Sequence, residues 1–132
     1  VAPSRLTDVL MVCRTFPIRV AGNSGPMEGE TTWDEISERV GHPVVERTTV
    51  THKVRRVAHW DPDLFRQSEL LNAPTEVALT FCDYVDPALA GTRSVSQVRD
   101  SAPMSEFLEA AGLTGRVRYF GTGPDSVAEV VE

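Results

Sequence analysis

Between Glu46 and Arg56 the chain gathers three arginines, one lysine, one histidine and three threonines. Lys53, Arg55 and Arg56 fall within one short run, directly after the hydroxyls of Thr48, Thr49 and Thr51. Like charges this close repel unless solvent or an anion offsets them. Guanidinium forks match the paired oxygens of carboxylates and phosphates. The stretch therefore reads either as a site for such an anion or as a solvated basic strand edge that discourages aggregation. A second chemical feature is Asp83, a carboxylate at the end of the apolar run Val77–Cys82, where ligands gather in open α/β sheets. A third is the turn Ala21–Pro26, whose two glycines let backbone amides approach a ligand, or simply make an ordinary turn.

The whole chain opposes the sign of its basic window. Its 132 residues carry a net charge of −6, with a pI near 5.0, so general nucleic-acid or membrane-surface binding is not expected and any anion must be met locally. This length supports one domain with a real core, and a hydrophobic fraction of 41% fits a folded chain. Cys13 and Cys82 sit in apolar surroundings and read as reduced, buried thiols of a cytoplasmic protein. His42, His52 and His59 lack zinc-ligand spacing. The sequence shows neither a membrane-spanning apolar run nor a signal-peptide pattern. It opens at Val1 without a methionine, as a fragment, a processed chain or a separately expressed second half would.

The elements that must position these groups follow from pattern. Ser4 is expected to cap a helix running to Arg14, with Leu6, Val9, Leu10 and Cys13 on one face. Phe16–Val20 reads as a short strand. Thr32-Trp33-Asp34-Glu35 is a capping box for a helix to Val40, stopped by Gly41. Pro43–Val50 is strand-like, and Asp61-Pro62 starts a helix to Asn72 with Leu64, Phe65 and Leu71 inward. Val77–Cys82 is a strand buried on both faces. Residues 86–103 read as a polar loop, 105–112 as a short helix with Phe107, Leu108 and Ala111 inward, and 116–120 as the last strand. A closing helix is expected from Ser126, with Val127, Val130 and Val131 inward. The sum is an α/β fold, a mostly parallel sheet flanked by helices.

Four motifs, in order, resemble the C-terminal half of the adenylosuccinate synthetase family. They are Arg19-Val20-Ala21-Gly22-Asn23-Ser24-Gly25-Pro26, Thr49-Val50-Thr51-His52-Lys53-Val54-Arg55-Arg56, Leu79-Thr80-Phe81-Cys82-Asp83 and Gly121-Thr122-Gly123-Pro124-Asp125. The family's versions are an Arg-Val-Gly-x-Gly-Pro turn, a Thr-Thr-Gly-Arg-x-Arg-Arg loop, a Thr-Lys-x-Asp guanine motif and a Ser-Thr-Gly-Pro-Asp turn. The short spacing between the third and fourth motifs is similar to that of the compact archaeal-type and phage members.

The resemblance implies a ligase that joins L-aspartate to the C6 of IMP, using GTP and magnesium, in purine biosynthesis. By it, Thr49, Val50, Thr51, His52 and Lys53 fall on the loop that closes over L-aspartate, and Val20 on its pocket. Lys53 and Arg55 would reach both aspartate and nucleotide, with Arg56 as a neighbour of weaker standing. Asp83 would accept from the donor base, and Gly121 and Gly123 would pack on that base. Three departures stand out. Phe81 replaces the lysine of the guanine motif, so strict selectivity for GTP is not expected and ATP or dATP joins it as a candidate donor, as in phage relatives that act on dGMP. Lys53 replaces an arginine fork. His52 replaces a glycine, so the loop is expected to close differently. The family's phosphate loop and its catalytic aspartate and histidine have no counterpart here, and no residue is an obvious catalytic group or magnesium ligand. The resemblance thus implies the aspartate- and base-binding portion of a ligase, completed by an N-terminal half on another chain and dimeric as family members are. The alternatives are a non-catalytic nucleotide-binding or regulatory module derived from that enzyme, and an α/β domain whose basic window is mere surface.

Overall fold

The computed structural model describes residues 5–131. In chain order the elements are β1 (Leu10–Arg14), β2 (Ile18–Arg19), β3 (Glu30–Thr31), α1 (Trp33–Val40), β4 (Arg56–Ala58) and α2 (Pro62–Asn72). There follow β5 (Glu76–Thr80), α3 (Cys82–Val85), a 3-10 turn (Pro87–Leu89), α4 (Val95–Asp100), α5 (Ala102–Ala110), β6 (Val117–Gly123) and β7 (Ser126–Glu129). The main sheet has the order β1-β5-β6-β7, with β1, β5 and β6 parallel and β7 antiparallel to β6. A mostly parallel sheet flanked by helices is what the alternation of elements predicted. A smaller antiparallel sheet, β2-β4-β3, stands beside it.

Local chemistry sets several boundaries as expected. The Thr32 hydroxyl accepts from the Glu35 amide at 3.2 Å, and Gly41 closes α1 at φ 80°. The left-handed region is nearly free of cost to glycine. An Asp61 carboxylate oxygen accepts from the amides of Asp63 and Leu64, both at 3.0 Å, with Pro62 opening α2. The helices and β5 bury Ile36, Leu79, Val98 and Met104, with Leu113 from the loop before β6.

Four expectations are corrected. The helix expected from Ser4 to Arg14 is strand β1 over Leu10–Arg14, in register from Leu10 opposite Glu76 to Arg14 opposite Thr80; Ser4 itself lies outside the described residues. Val9–Cys13 is a continuous apolar run, which matches a sheet strand as well as a helix face, and pairing with β5 decides it. The strand expected over Pro43–Val50 is absent: only Arg47 bridges, to Val54, around a turn at residues 49–51. The polar loop of residues 86–103 contains α4, capped by the Ser94 hydroxyl, and the start of α5, capped by that of Ser101. Side-chain oxygens bonding to amides three residues on make these helix starts. The closing helix from Ser126 is strand β7, whose burial alternates through Ser126, Val127, Ala128 and Glu129. That period of two sends Val127 outward, and Val131 is exposed too, while Val130 is half-buried.

Smaller differences are of burial. On α2 only Phe65 is buried, while Leu64 and Leu71 are exposed. On α5, Phe107 and Leu108 are half-buried and Met104 is the fully buried anchor. Neither cysteine is in a disulfide. Cys82 is buried, and desolvation with the neighbouring Asp83 carboxylate pushes its thiol up to about 12. Cys13 is half-buried and is also pushed up, by desolvation and then by Glu69.

Candidate functional site

The carboxyl ends of β1 and β5 meet at a cluster that the sequence reading did not assemble. Thr15 follows β1, and its amide donates to the Thr80 carbonyl at 3.1 Å while its hydroxyl donates to the Phe81 carbonyl at 2.7 Å. Phe81 is thereby held at φ 63°, a left-handed conformation that costs a side-chain-bearing residue about 1–2 kcal/mol. The turn ends β5 and starts α3, so Asp83 lies in the first turn of that helix. Arg14 stacks on Phe81, its guanidinium carbon 3.6 Å from the ring centre, donates to the Phe16 carbonyl at 3.2 Å, and forms an ion pair with Glu46. Tyr84 packs against Phe81 with ring centres 5.0 Å apart.

Glu46 is also where the basic window begins. Its carbonyl accepts from the Arg55 amide at 2.9 Å, and the Arg55 carbonyl accepts from the buried Trp33 indole at 2.7 Å. The window is thus a short hairpin anchored through Glu46 to the ends of the parallel strands. Its tip is closed locally. The Thr48 hydroxyl lies 2.6 Å from that of Thr51 and accepts from the Lys53 amide at 3.1 Å, and the Thr48 carbonyl accepts from the His52 amide at 3.0 Å. His52, where the resemblance expects glycine, takes φ 52°; the histidine adopts the glycine-type conformation. Thr49, Val50, Thr51, His52 and Lys53 are all exposed, and Arg55 is half-buried. Lys53 and Arg55 have no carboxylate partner among the described residues, whereas Arg14 and Arg56 each have one.

Arg56 has a bracing role. Its guanidinium bonds both oxygens of Glu30 at 2.7 Å and also reaches the Gly25 carbonyl at 2.8 Å and the Ser24 hydroxyl at 3.1 Å. The Ser24 hydroxyl in turn donates to the Val20 carbonyl at 2.7 Å, and Arg19 donates to the Ser24 carbonyl at 2.6 Å. The turn carrying Val20 is therefore tied to the base of the basic hairpin. Its Gly25 has φ 95°, and a Cβ there would lie 2.8 Å from the Arg19 guanidinium. The Arg56 bond holds the Glu30 carboxyl below its usual range.

Asp83 and the two glycines of β6 occupy the other side of the cluster. A Cβ on Gly121 would stand 3.2 Å from the Thr80 Cα, so the absent side chain lets β6 close on the end of β5. Gly123 has the same relation to Ser126, whose hydroxyl would be 2.9 Å away. In this chain both glycines pack against protein. Thr122 between them is buried, its hydroxyl donating to the Thr92 carbonyl at 2.6 Å. One Asp83 carboxylate oxygen is buried without a partner among the described residues. Desolvation raises its carboxyl above the usual range, opposed by a backbone hydrogen bond and then by His42. An orphaned buried acceptor favours a donor that reaches it, and an amidine edge is such a donor.

The structure therefore joins the Val20 turn to the basic hairpin, and the hairpin to the strand ends beside Asp83. Among the described residues, surface depressions of about 330 and 350 Å³ border the cluster at Thr15 and at Arg14, and one of about 270 Å³ lies beside Arg19 and Pro26. Arg14, Glu46 and Tyr84 were missed as members of the cluster. For Arg14 the available signal was the β-type run before Thr15. Glu46 and Tyr84 carry no local signal of their position. Among the described residues no three His, Cys, Asp or Glu side chains converge as a metal site. Among the described residues no helix is long and apolar enough to cross a membrane.

No protein-family model matches the chain. It is 34% identical over 127 residues to adenylosuccinate synthetase of Archaeoglobus fulgidus, covering 95% of this chain and 36% of that protein. It is 34% identical over 122 residues to the N6-succino-2-amino-2'-deoxyadenylate synthase of Vibrio phage phiVC8, covering 90% and 32%. Among solved structures it is similar to the cyanophage S-2L succinoaminodeoxyadenylate synthetase bound to dGMP and to dATP as an energy donor. There the TM-score is 0.68 at 26% identity, over 95% of this chain and 34% of that one. The chain thus spans about a third of the length of these relatives. Over nearly its whole length the chain is thus similar, in sequence and in fold, to about a third of adenylosuccinate synthetases and of their phage relatives.

Proposed function

We propose that this chain is the L-aspartate- and nucleotide-base-binding portion of a cytoplasmic ligase that joins L-aspartate to a purine nucleotide, IMP or dGMP. The observation that carries the reading is the Glu46–Arg14 pair, which fastens a hairpin with two uncommitted cations to the strand ends where Asp83 has an unpaired acceptor. In this reading Lys53 and Arg55 meet the carboxylates of L-aspartate, helped by the hydroxyls of Thr49 and Thr51, with Val20 and Val50 on the same pocket. Asp83 binds the base of the donor. Phe81, stacked under Arg14, stands where the guanine motif has lysine, so ATP or dATP stands beside GTP as the donor. Gly121 sets the closeness of β6 to this edge, and Gly123 that of the β6–β7 turn to Ser126 and Gly91, both placed by the resemblance beside the donor base.

The chain's share of the chemistry is binding and orientation. Two cations and paired hydroxyls fix a dicarboxylate so that its amine faces the purine, which converts a bimolecular encounter into a positioned one. Phosphoryl transfer, the donor phosphates and magnesium belong to the part of the family polypeptide that this chain does not span, supplied by an N-terminal half on another chain, and the completed ligase is a homodimer. Titration of the chain with L-aspartate, GTP, ATP and dATP, followed by melting temperature and calorimetry, tests the reading. Saturation at 100-fold over Kd stabilises by roughly 2.7 kcal/mol. A shift with L-aspartate that Arg55→Ala abolishes supports the proposal, and flat curves with every ligand oppose it.

A further inference from the structure

Of the five phenylalanines, Phe16, Phe65 and Phe120 belong to the hydrophobic core and Phe107 packs against it. Phe81 stands apart from that core, half-buried at the strand ends. Its ring is held there by its neighbours rather than by burial. The buried Thr15 donates its hydroxyl to the Phe81 carbonyl at 2.7 Å, with the residue at φ 63°, a conformation costly for a residue that carries a side chain. Arg14 covers one face of the ring, its guanidinium carbon 3.6 Å from the centre, and is itself held by Glu46 and the Phe16 carbonyl. Tyr84 meets the ring at 57°, tilted rather than stacked upon it. A strained backbone that its surroundings over-determine is a feature of ligand clamps. Here the strain presents an aromatic ring outside the core, two residues before Asp83, whose buried carboxylate oxygen has no partner among the described residues.

We propose that Phe81, backed by Arg14, is a stacking surface for the purine of the donor nucleotide, adding affinity that adenine and guanine share while Asp83 reads the base edge. Every base has a π face, so stacking on an aromatic side chain holds bases with little regard to their identity. The edges differ: guanine offers its 2-amino group to a carboxylate, and adenine its 6-amino group. A guanidinium on one face draws the ring's π charge to that side, so the other face meets an electron-rich purine with less repulsion. The lysine of the guanine motif has no such face. Phenylalanine at this position therefore moves part of donor recognition from the edge of the base to its face, which makes room for adenine donors beside guanine. This inference rests on the reading of the chain as the donor-base-binding portion of a ligase.

The test uses the chain itself, titrated with ATP, dATP, GTP and L-aspartate and followed by calorimetry. Phe81→Leu should weaken all three donors by about tenfold or more, the usual worth of one stacked base, and keep their ratios within about threefold. Phe81→Trp, which keeps an aromatic face, should bind them within about threefold of the parent chain. Neither variant should change L-aspartate affinity by more than about twofold, the range for a separate site. In the unaltered chain with donor bound, nuclear Overhauser contacts should run from the Phe81 ring to the purine base protons, assigned by their loss in Phe81→Trp. Should Phe81→Leu fail to fold, these contacts and the Phe81→Trp affinities decide the matter. Donor binding unchanged by Phe81→Leu, a loss confined to one base, or a bound donor without those contacts overturns the stacking surface and leaves the ligase reading standing. A fall in L-aspartate affinity in step with the donors overturns it as well, since Phe81 is then structural. So does a chain that binds L-aspartate and no donor. Flat titrations with L-aspartate and every donor overturn the reading on which the stacking surface rests.

Discussion

The Arg14 guanidinium lies 3.6 Å above the Phe81 ring and pairs with Glu46, so one side chain ties the turn after β5 to the base of the basic hairpin. Both partners of the ion pair are mostly buried at their side chains, 22% exposed each. Removing one leaves a charge partly desolvated, which costs more than losing an exposed pair. Glu46→Gln should lower stability by about 1–2 kcal/mol and speed amide exchange at His52 and Lys53. Chemical denaturation with exchange mass spectrometry reads both. Unchanged hairpin exchange would mean that the hairpin is held by Trp33 and the Arg47–Val54 bridge alone.

Arg55 contributes backbone to the fold and an uncommitted guanidinium to the proposed site. Arg55→Ala keeps the Trp33 and Glu46 bonds, which go to main-chain atoms. Stability should change by less than about 0.5 kcal/mol, while L-aspartate binding should weaken by about tenfold or more, one charge-assisted contact being worth about 1.5–3 kcal/mol. Loss of stability with binding intact would make Arg55 structural.

Burial raises the Asp83 carboxyl, so the folded chain holds that proton more tightly than the unfolded chain. Its stability cost therefore begins as pH rises past the ordinary aspartate value of 3.8 and is complete above the raised folded value. Asp83→Asn should stabilise the ligand-free chain at pH 7, with the gain vanishing as pH falls below that ordinary value. The same substitution should erode discrimination among GTP, ATP and dATP. Melting curves from pH 3 to 8, with and without donor, separate the two effects. A pH-independent difference would remove the buried carboxylate from the account.

His52 holds a left-handed φ of 52° at the hairpin tip. Glycine relieves that strain, at some cost in unfolded-chain entropy. His52→Gly should leave stability unchanged or raise it by up to about 1 kcal/mol, and should keep L-aspartate binding within about threefold. A large loss of binding would show that the imidazole itself is a ligand contact.

Gly121 faces the Thr80 backbone, with room for no Cβ closer than 3.2 Å. Gly121→Ala should push β6 from β5 and cost about 1–3 kcal/mol, the usual penalty of overpacking. Thermal unfolding reads this directly. A neutral outcome would return Gly121 to the role the resemblance suggests, contact with a base.

Legibility in the sequence followed the range of the interactions. Thr32, Gly41, Asp61 and Pro62 set helix ends through bonds to residues at most four positions away, and their types alone announced α1 and the start of α2. The basic window, Asp83 and the glycine pairs were visible as chemistry because charge and the lack of a Cβ belong to the residue itself. What tertiary structure decided was everything that depends on a partner distant in the chain. Val9–Cys13 suits a helix face or a strand equally, and only the β5 edge, more than sixty residues on, makes it β1. Ser126–Glu129 becomes a strand because Ala128 and Ser126 meet Phe120 and Gly123 across a tight turn. The site itself was assembled the same way: Arg14, Glu46 and Phe81 are remote in sequence, and their meeting is a product of sheet order. Backbone pairing and burial are non-local energies, so the residues could name the chemistry while only the fold could bring it to one place.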